Sequence, residues 1–545
     1  MRAAKLLIKC LEAEGVEYMF GIPGEENIDV MDALLDSPIK FILVRHEQAA
    51  SLMASTYGHY AGKPGVCLAT LGPGAINLIL GAAAAFQDYS PLVAITGQRG
   101  TSTLFQESHQ VLDLVSLFRP VTKWCQEIDV PSEIPGYVRK AFKIAGSDRF
   151  GSTMLVLPED IAGAGVPDDS EPITPHGQSA GAPVPALIEQ AAKLIASAQN
   201  PIVLAGSGIV RSRAEDSLRR FADATGMAVL DMFSSRGALD NRHRCYVAPL
   251  GFMTRDYANI VMERADTIVA VGYDFIEYPP ENFKGRPKRI INISTTGYET
   301  DAKFNPEVNI TADIGLSLDA LTGRLPAPVN NYTRFGDING LWRQELKRFD
   351  AVEFTGAIKP EKIIAEMRAV LGDDDVLICD TGALKMWIAR LFPVYRADSF
   401  FLSNGLATMS LALPGAMGAK LAMPEKHVVA VMGDGSFLMN SQELETARRC
   451  GIPFVIFVWC DDTYGLIKWR QDLKFGRPSH IAFKNPDFRK YAESFGVKSY
   501  HITRSSEIAP MLREAIGLDE VVLVYCDVDY SDNVALVNRL AGMTI

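Results

Sequence analysis

The sequence lacks several signals, and each absence narrows what the protein can be. No Cys-x-x-Cys pair occurs: Cys10, Cys67, Cys125, Cys245, Cys379, Cys450, Cys460 and Cys526 are scattered, several at the ends of apolar runs. That excludes a zinc ribbon or a disulfide framework, suits reduced core thiols and predicts a cytoplasmic protein. No Lys- or Arg-rich run appears, and the net charge is −11. An electrostatic footprint for nucleic acid or an anionic membrane is therefore missing, and the expected ligand is a small molecule. The opening "MRAAKLLIKCLEAEGVEYMFGIPG" holds only a short apolar stretch, broken by Lys9 and Glu12. It reads as an amphipathic first helix, not a signal peptide or a membrane span. The stretch "PIVLAGSGIV" has a Gly-x-Gly but not the third glycine of a dinucleotide fingerprint, so it is weak evidence for nucleotide binding.

What is present is ordinary globular material, 48% apolar and 22% charged, in a chain of 545 residues that is too long for one core. About three domains are expected. Short β-branched runs such as "GVCLATL", "PIVLAG", "TIVAVG", "DVLICD", "VVAVMG" and "FVIFVW" alternate with helix-length segments. Runs apolar on both faces predict doubly wound α/β domains with parallel sheets covered by helices. Two aperiodic stretches rich in Pro, Gly and Ser, near residues 165–186 and 323–337, divide the chain. They predict domains over 1–165, 183–328 and 355–535. The first and last thirds repeat one plan of strand, glycine turn and helix, in "VCLATLGPGAINLILGAAAA" and "VVAVMGDGSFLMNSQELETA".

The second of these carries the densest chemistry. In "GDGSFLMNSQELETARRCGIPFVIFVWCDDTYGL" (433–466), "VVAVM" predicts a strand, Gly433 and Gly435 a tight turn, and Asn440 with Glu443 a helix N-cap. A second parallel strand ending at Cys460 then brings Asp461 and Asp462 to the sheet edge that delivers Asp434. Carboxylates at two adjacent strand ends, beside turns that expose backbone N–H groups, suit a hard cation bridging to a diphosphate. Aspartates and glycines are also common in solvated loops, so the residues alone leave both readings open. Glu47, where "KFILVRHEQAASLMASTYG" opens a helix, reads equally as a carboxylate favoured by the helix dipole.

Taken together, these stretches resemble the thiamine diphosphate-dependent enzymes, and within them the FAD-independent, catabolic type of acetolactate synthase. The likeness runs from "GIPGEEN" to "CDVDYSDN", with the motifs in family order. The usual diphosphate motif ends in paired asparagines, where this chain has Cys460 and Asp461. By position, the resemblance implies Asp434, Asp461 and the Thr463 carbonyl as Mg²⁺ ligands, with Asp462 left aside. It implies Glu47 as the carboxylate that activates the cofactor's pyrimidine ring. In "SNGLATMSLALPGAMGAK" it implies Met409 as the apolar prop under the cofactor and the Ala407 carbonyl as a pyrimidine contact. In "CDTGALKMW" it implies mostly backbone contacts from Thr381, Gly382, Ala383 and Leu384, joined on the diphosphate side by Gly433, Gly435, Ser436, Tyr464, Gly465 and Leu466.

In "FQESHQVLDLVSLFRPVTKW" the family's active-site glutamine falls at Gln110, preceded by His109, although Gln110 also reads as a helix-surface amide. Leu466 and Trp469 are expected either to shape an acceptor pocket or to pack in the core. The loop "GIPGEENID" puts Glu25 and Glu26 where the family's loop faces a partner chain's reaction centre. Those carboxylates would repel a second carboxylate substrate unless they turn into solvent. The implied activity is decarboxylation of a 2-keto acid, pyruvate, and its ligation to a second keto acid to give 2-acetolactate. Simple decarboxylation, aldehyde carboligation and acyl transfer are the alternatives. Thiamine diphosphate and Mg²⁺ are the implied cofactors, with no positive reason to place FAD. The implied assembly is a homodimer at least, extending to a homotetramer, with sites between chains.

Overall fold

The computed structural model describes the whole chain except residues 178, 252–254, 286–287, 326–327 and 542–545. Among the described residues, eighteen strands form three six-stranded sheets, and every pairing in them is parallel. In the first, β1 (Tyr18–Gly21), β2 (Lys40–Leu43), β3 (Gly65–Ala69), β4 (Leu92–Gln98), β5 (Trp124–Glu127) and β6 (Ser152–Pro158) lie in the order β2-β1-β3-β4-β6-β5. In the third, β13 (Val376–Cys379), β14 (Phe400–Leu402), β15 (Val428–Gly433), β16 (Val455–Cys460), β17 (Lys498–Ile502) and β18 (Val522–Asp527) lie in the order β14-β13-β15-β16-β18-β17. Renumbered within each sheet the two orders are identical, so the shared plan read from the sequence is a repeated topology.

The middle sheet differs. Its strands β7 (Pro201–Ala205), β8 (Ala228–Met232), β9 (Tyr246–Leu250), β10 (Thr267–Val271), β11 (Arg289–Ser294) and β12 (Val308–Thr311) follow β12-β11-β10-β7-β8-β9. That is the order of a dinucleotide-binding fold, whose ligand crevice lies where β7 and β10 meet.

The central strands are buried along their whole length, β4 and β16 among them, which is why their sequences are continuous apolar runs rather than alternating ones. The first aperiodic stretch behaves as expected: among the described residues no helix or strand lies between Gly163 and Pro185. The second does not. A short 3₁₀ turn, Asn331–Phe335, and the start of a helix, Gly336–Leu346, occupy it. Asn331 fastens it to the middle sheet, accepting from Ala228 N at 3.0 Å and donating to Pro201 O at 2.5 Å. The side-chain amide of Asn331 satisfies groups at strand ends, so a loop-like composition here makes a docked turn instead of a free linker.

Two domains meet through the helix Glu47–Ala61 and the small-residue helix Ala412–Ala422. A Cβ on Gly418 would come within 2.3 Å of Met53 O, so the two backbones approach as closely as only glycine allows. No helix among the described residues is long and apolar enough to cross a membrane.

Candidate active site

The carboxyl ends of β13, β15 and β16 meet at one edge of the third sheet, as Gly433 pairs with Trp459. The tight turn expected at Gly433 is in fact the start of a helix, Asp434–Asn440, and a second helix, Glu443–Arg449, follows. Asn440 therefore ends a helix and caps none. Its amide donates to Ser410 Oγ at 2.7 Å, a partner distant in sequence that outcompetes the local cap.

Asp434 organises the turn at the end of β16. Its Oδ2 accepts from Asp461 N (3.0 Å), Asp462 N (2.8 Å) and Asn485 Nδ2 (2.7 Å), and its Oδ1 from Gly435 N (2.8 Å). Asp461 Oδ2 accepts from Thr463 Oγ1 at 2.9 Å. Burial, with Asp434 alongside, pushes the Asp461 carboxyl up to about 6. Burial likewise raises Asp434, against its four hydrogen bonds. Two desolvated carboxylates side by side are a poor arrangement unless a cation faces them. Asp462 takes another path: it has φ 52° and its Oδ1 accepts from Asn485 Nδ2 at 2.5 Å.

The Thr463 carbonyl accepts from Gly465 N at 3.0 Å and keeps a second lone pair. Among the described residues no group of three or more His, Cys, Asp or Glu side chains can hold a metal. A cation at this turn must therefore complete its shell from backbone, phosphate and water oxygens.

Beside the turn lies a cleft of about 120 Å³. Thr381, Gly382, Ala383, Leu384, Met409, Gly433, Asp434, Gly435, Ser436, Asp461, Thr463, Tyr464, Gly465 and Leu466 all line it. Three helices begin at its wall, at Ala383, Asp434 and Gly465, and a helix N-terminus offers unpaired N–H groups to an anion. Thr381 Oγ1 is buried there without a partner. N–H groups, an orphaned hydroxyl and two carboxylates waiting for a cation fit a diphosphate bridged by a divalent ion.

Several residues that hold this site were not singled out in the sequence. Asp380, fully buried, accepts from Thr381 N (2.7 Å), Ser410 N (3.0 Å), Ala412 N (2.9 Å) and Ser436 Oγ (2.5 Å). It joins the three strand-end loops, and burial raises its carboxyl to about 6. Its place before the glycine turn in "CDTG" is the one local hint. Asn485, Asp88 and Tyr530 had none. Asp88 grips Ser403 Oγ, Asn404 N and Gly405 N, fixing the loop that carries Ala407 and Met409. Ala407 (φ 53°) and Ser410 (φ 70°) hold left-handed conformations in that loop, backbone strain of a kind that clusters at functional sites. Tyr530, from the stretch after β18, closes one side of the cleft.

Ala407 and Glu47 are not on the cleft wall, which comes entirely from the C-terminal domain. Glu47 opens its helix with a buried carboxyl that accepts from Asn77 Nδ2 at 3.0 Å, within its own domain. His109 and Gln110 are exposed in a turn, and Gln110 is left-handed (φ 60°) against Gly72, so its helix-surface reading fails. Glu26 does not point into solvent. It is buried, accepting from Thr70 Oγ1 at 2.7 Å with Arg99 at 3.8 Å, while Glu25 is exposed. Trp469 stacks on Trp387 (6.5 Å, 21°) in the core, and Leu466 alone of that pair reaches the cleft.

Comparison with known proteins bears on the whole chain. Residues 1–117, 188–321 and 380–526 match the N-terminal TPP binding, central and C-terminal TPP binding domains of the thiamine pyrophosphate enzymes. The chain is 34% identical to the "Acetolactate synthase, catabolic" of Raoultella terrigena, over 98% of this chain and 97% of that one. It is 32% identical to the "Acetolactate synthase" of Bacillus subtilis (98% and 94%). It is 34% identical to the "Probable acetolactate synthase large subunit" of Methanococcus aeolicus (100% and 95%).

Proposed function

Since this chain belongs to the thiamine pyrophosphate enzymes and, within them, to the acetolactate synthases, we propose that it joins two pyruvate molecules into 2-acetolactate with release of CO₂. The observation that carries this reading is the cleft at the carboxyl edge of the third sheet, where three helix N-termini and two desolvated carboxylates converge. Bound thiamine diphosphate supplies the nucleophilic carbon and the electron sink.

The chain's own groups do the rest. Asp434, Asp461 and the Thr463 carbonyl would hold Mg²⁺, and the Ala383, Asp434 and Gly465 N-termini the diphosphate. Met409 and Leu384, on the cleft wall, would support the cofactor's rings and exclude water. Glu47, kept in place by Asn77, would hold a proton at a pyrimidine nitrogen. Gln110 and His109, exposed in one chain, would face the substrate once a second chain covers them. Glu26 is buried against Thr70 with the Arg99 guanidinium nearby, which supports pyruvate as the second substrate despite the acidic loop.

The reading needs no flavin. In the middle sheet's crevice Ser207 N donates to Glu277 Oε2 (2.9 Å) and Ser207 Oγ to Asp274 Oδ2 (3.0 Å), and carboxylates at that helix start support a reading without a nucleotide phosphate there. The cleft of one chain carries no residue of the N-terminal domain, which supports a homodimer at least, and a homotetramer by extension, with each site shared between chains. All eight cysteines are free, which supports a cytoplasmic setting.

The test is product identification. Pyruvate with thiamine diphosphate and Mg²⁺ yields 2-acetolactate and CO₂, and EDTA pretreatment abolishes both. Acetaldehyde as the main product would sink the ligation step. Glu47→Gln lowers kcat by about 10²-fold or more, the usual weight of a positioned acid–base group.

A further inference from the structure

The strand-to-helix turn that presents Glu47 is held from another domain. Glu443, on the first turn of the helix Glu443–Arg449, is fully buried and 398 residues away in sequence from Arg45. Its two oxygens accept from Arg45 N at 3.1 and 3.3 Å, and the His46 amide also bonds to it. Thr446 Oγ1 donates to Oε2 at 2.6 Å and fixes the carboxylate's orientation. At the far end of the same helix the Arg449 guanidinium donates to Leu43 O. One seven-residue helix thus grips both sides of the segment 43–46, and Glu47 is the next residue. Leu43 and Arg45 are exposed, whereas Glu443 is fully buried, so its carboxylate would be costly to leave without these amide partners.

We propose that Glu443 is a positioning residue for Glu47: a C-terminal-domain carboxylate that clamps the backbone from which the activating carboxyl is delivered. It rests on the reading of Glu47 given above. Glu443 lines no part of the cleft. Its helix follows directly on the one that Asp434 opens, so the metal turn and the activator's turn are joined by two consecutive helices.

The experiment compares the holoprotein with Glu443→Ala, Glu443→Gln and, in parallel, Glu47→Gln. In Glu443→Ala, kcat falls by about 10- to 100-fold, the scale of a small misplacement of a catalytic group. The pyruvate KM and the Mg²⁺ and thiamine diphosphate affinities of the apoprotein, measured by calorimetric titration, stay within a few-fold, since the cleft is untouched. Amide exchange of the 43–48 segment speeds up, and Glu443→Gln, which keeps one acceptor oxygen and the packing, restores most of the turnover. Wild-type kcat in Glu443→Ala overturns the proposal, as does a kcat loss matched by an equal loss of cofactor affinity. Should Glu443→Ala not fold, Arg449→Met removes the other jaw of the clamp, and an unchanged kcat and exchange rate there are equally fatal. If Glu47→Gln keeps full turnover, the functional reading fails, whatever Glu443 does. If only Glu443→Ala is silent, the clamp alone is wrong.

Discussion

At the scale of single residues, the two adjacent aspartates at the end of β16 have different surroundings, and the difference is geometric. Asp461 sits against Asp434 with its carboxyl raised by burial, so it gains most from a cation. Asp462 is turned back and tied to Asn485. Asp461→Ala is therefore expected to weaken Mg²⁺-dependent thiamine diphosphate binding by roughly 10- to 100-fold or more, whereas Asp462→Asn, which tolerates the left-handed backbone, leaves it nearly unchanged. Titration calorimetry of the apoprotein separates the two, and equal losses would refute the division. Neighbouring residue types in the sequence could not decide this, because Asn485 is 23 positions from Asp462, which it ties back.

At the scale of elements, the contact between the helices Glu47–Ala61 and Ala412–Ala422 depends on a missing side chain. Gly418→Ala places a methyl 2.3 Å from Met53 O, and a backbone atom cannot step aside as a side chain would. Overpacking of this kind costs about 1–3 kcal/mol, so the thermal midpoint is expected to drop and kcat with it, as the Glu47 helix shifts. Gly340→Ala, in open space on the helix Gly336–Leu346, is the control and leaves the midpoint unchanged or slightly higher. A Gly418→Ala protein as stable and active as wild type would show that this interface can relax. The elements themselves were readable: both-face apolar runs became buried parallel strands. The stretch near 323–337 misled, because its Asn and Gly content marks turns in general and not whether a turn is docked.

For the whole molecule, one acid-sensitive point is a junction of four segments. Arg390, near the end of a C-terminal-domain helix, bridges Asp256 of the middle domain and Glu345 of the helix Gly336–Leu346, and Arg539 of the last helix joins Glu345. Burial alone would raise Glu345, but Arg390 and Arg539 hold it down to about 2. Its folded value lies below the ordinary 4.5, so the stability it contributes, about 3 kcal/mol, is complete above pH 4.5 and is lost as pH falls toward 2. Thermal midpoints measured from pH 2 to 7 are expected to fall across that window in the wild type. Glu345→Gln is expected to be less stable at neutral pH, since it leaves Arg390 short of a charge, and flatter below pH 4.5. Parallel curves would assign the acid sensitivity elsewhere. The proposed sharing of the site between chains makes its own prediction at this scale: Glu47→Gln and Asp434→Ala, each strongly impaired alone, recover part of the activity when co-expressed, because mixed dimers would hold one intact site. No recovery would return the site to a single chain.

By itself the sequence determined the α/β class, the repeated plan of the outer domains, and the strand ends that bring Asp434 and Asp461 together. These depend on local periodicity and on turns within one strand–helix–strand unit, where spacing dictates position. Only the tertiary structure decided that Asp380 joins three loops, that Glu26 is buried against Thr70, that Trp469 belongs to the core, and that Glu443 reaches across 398 residues to the turn before Glu47. A hydrogen bond between distant segments leaves no periodic trace in either, because each partner obeys only the rules of its own helix or loop.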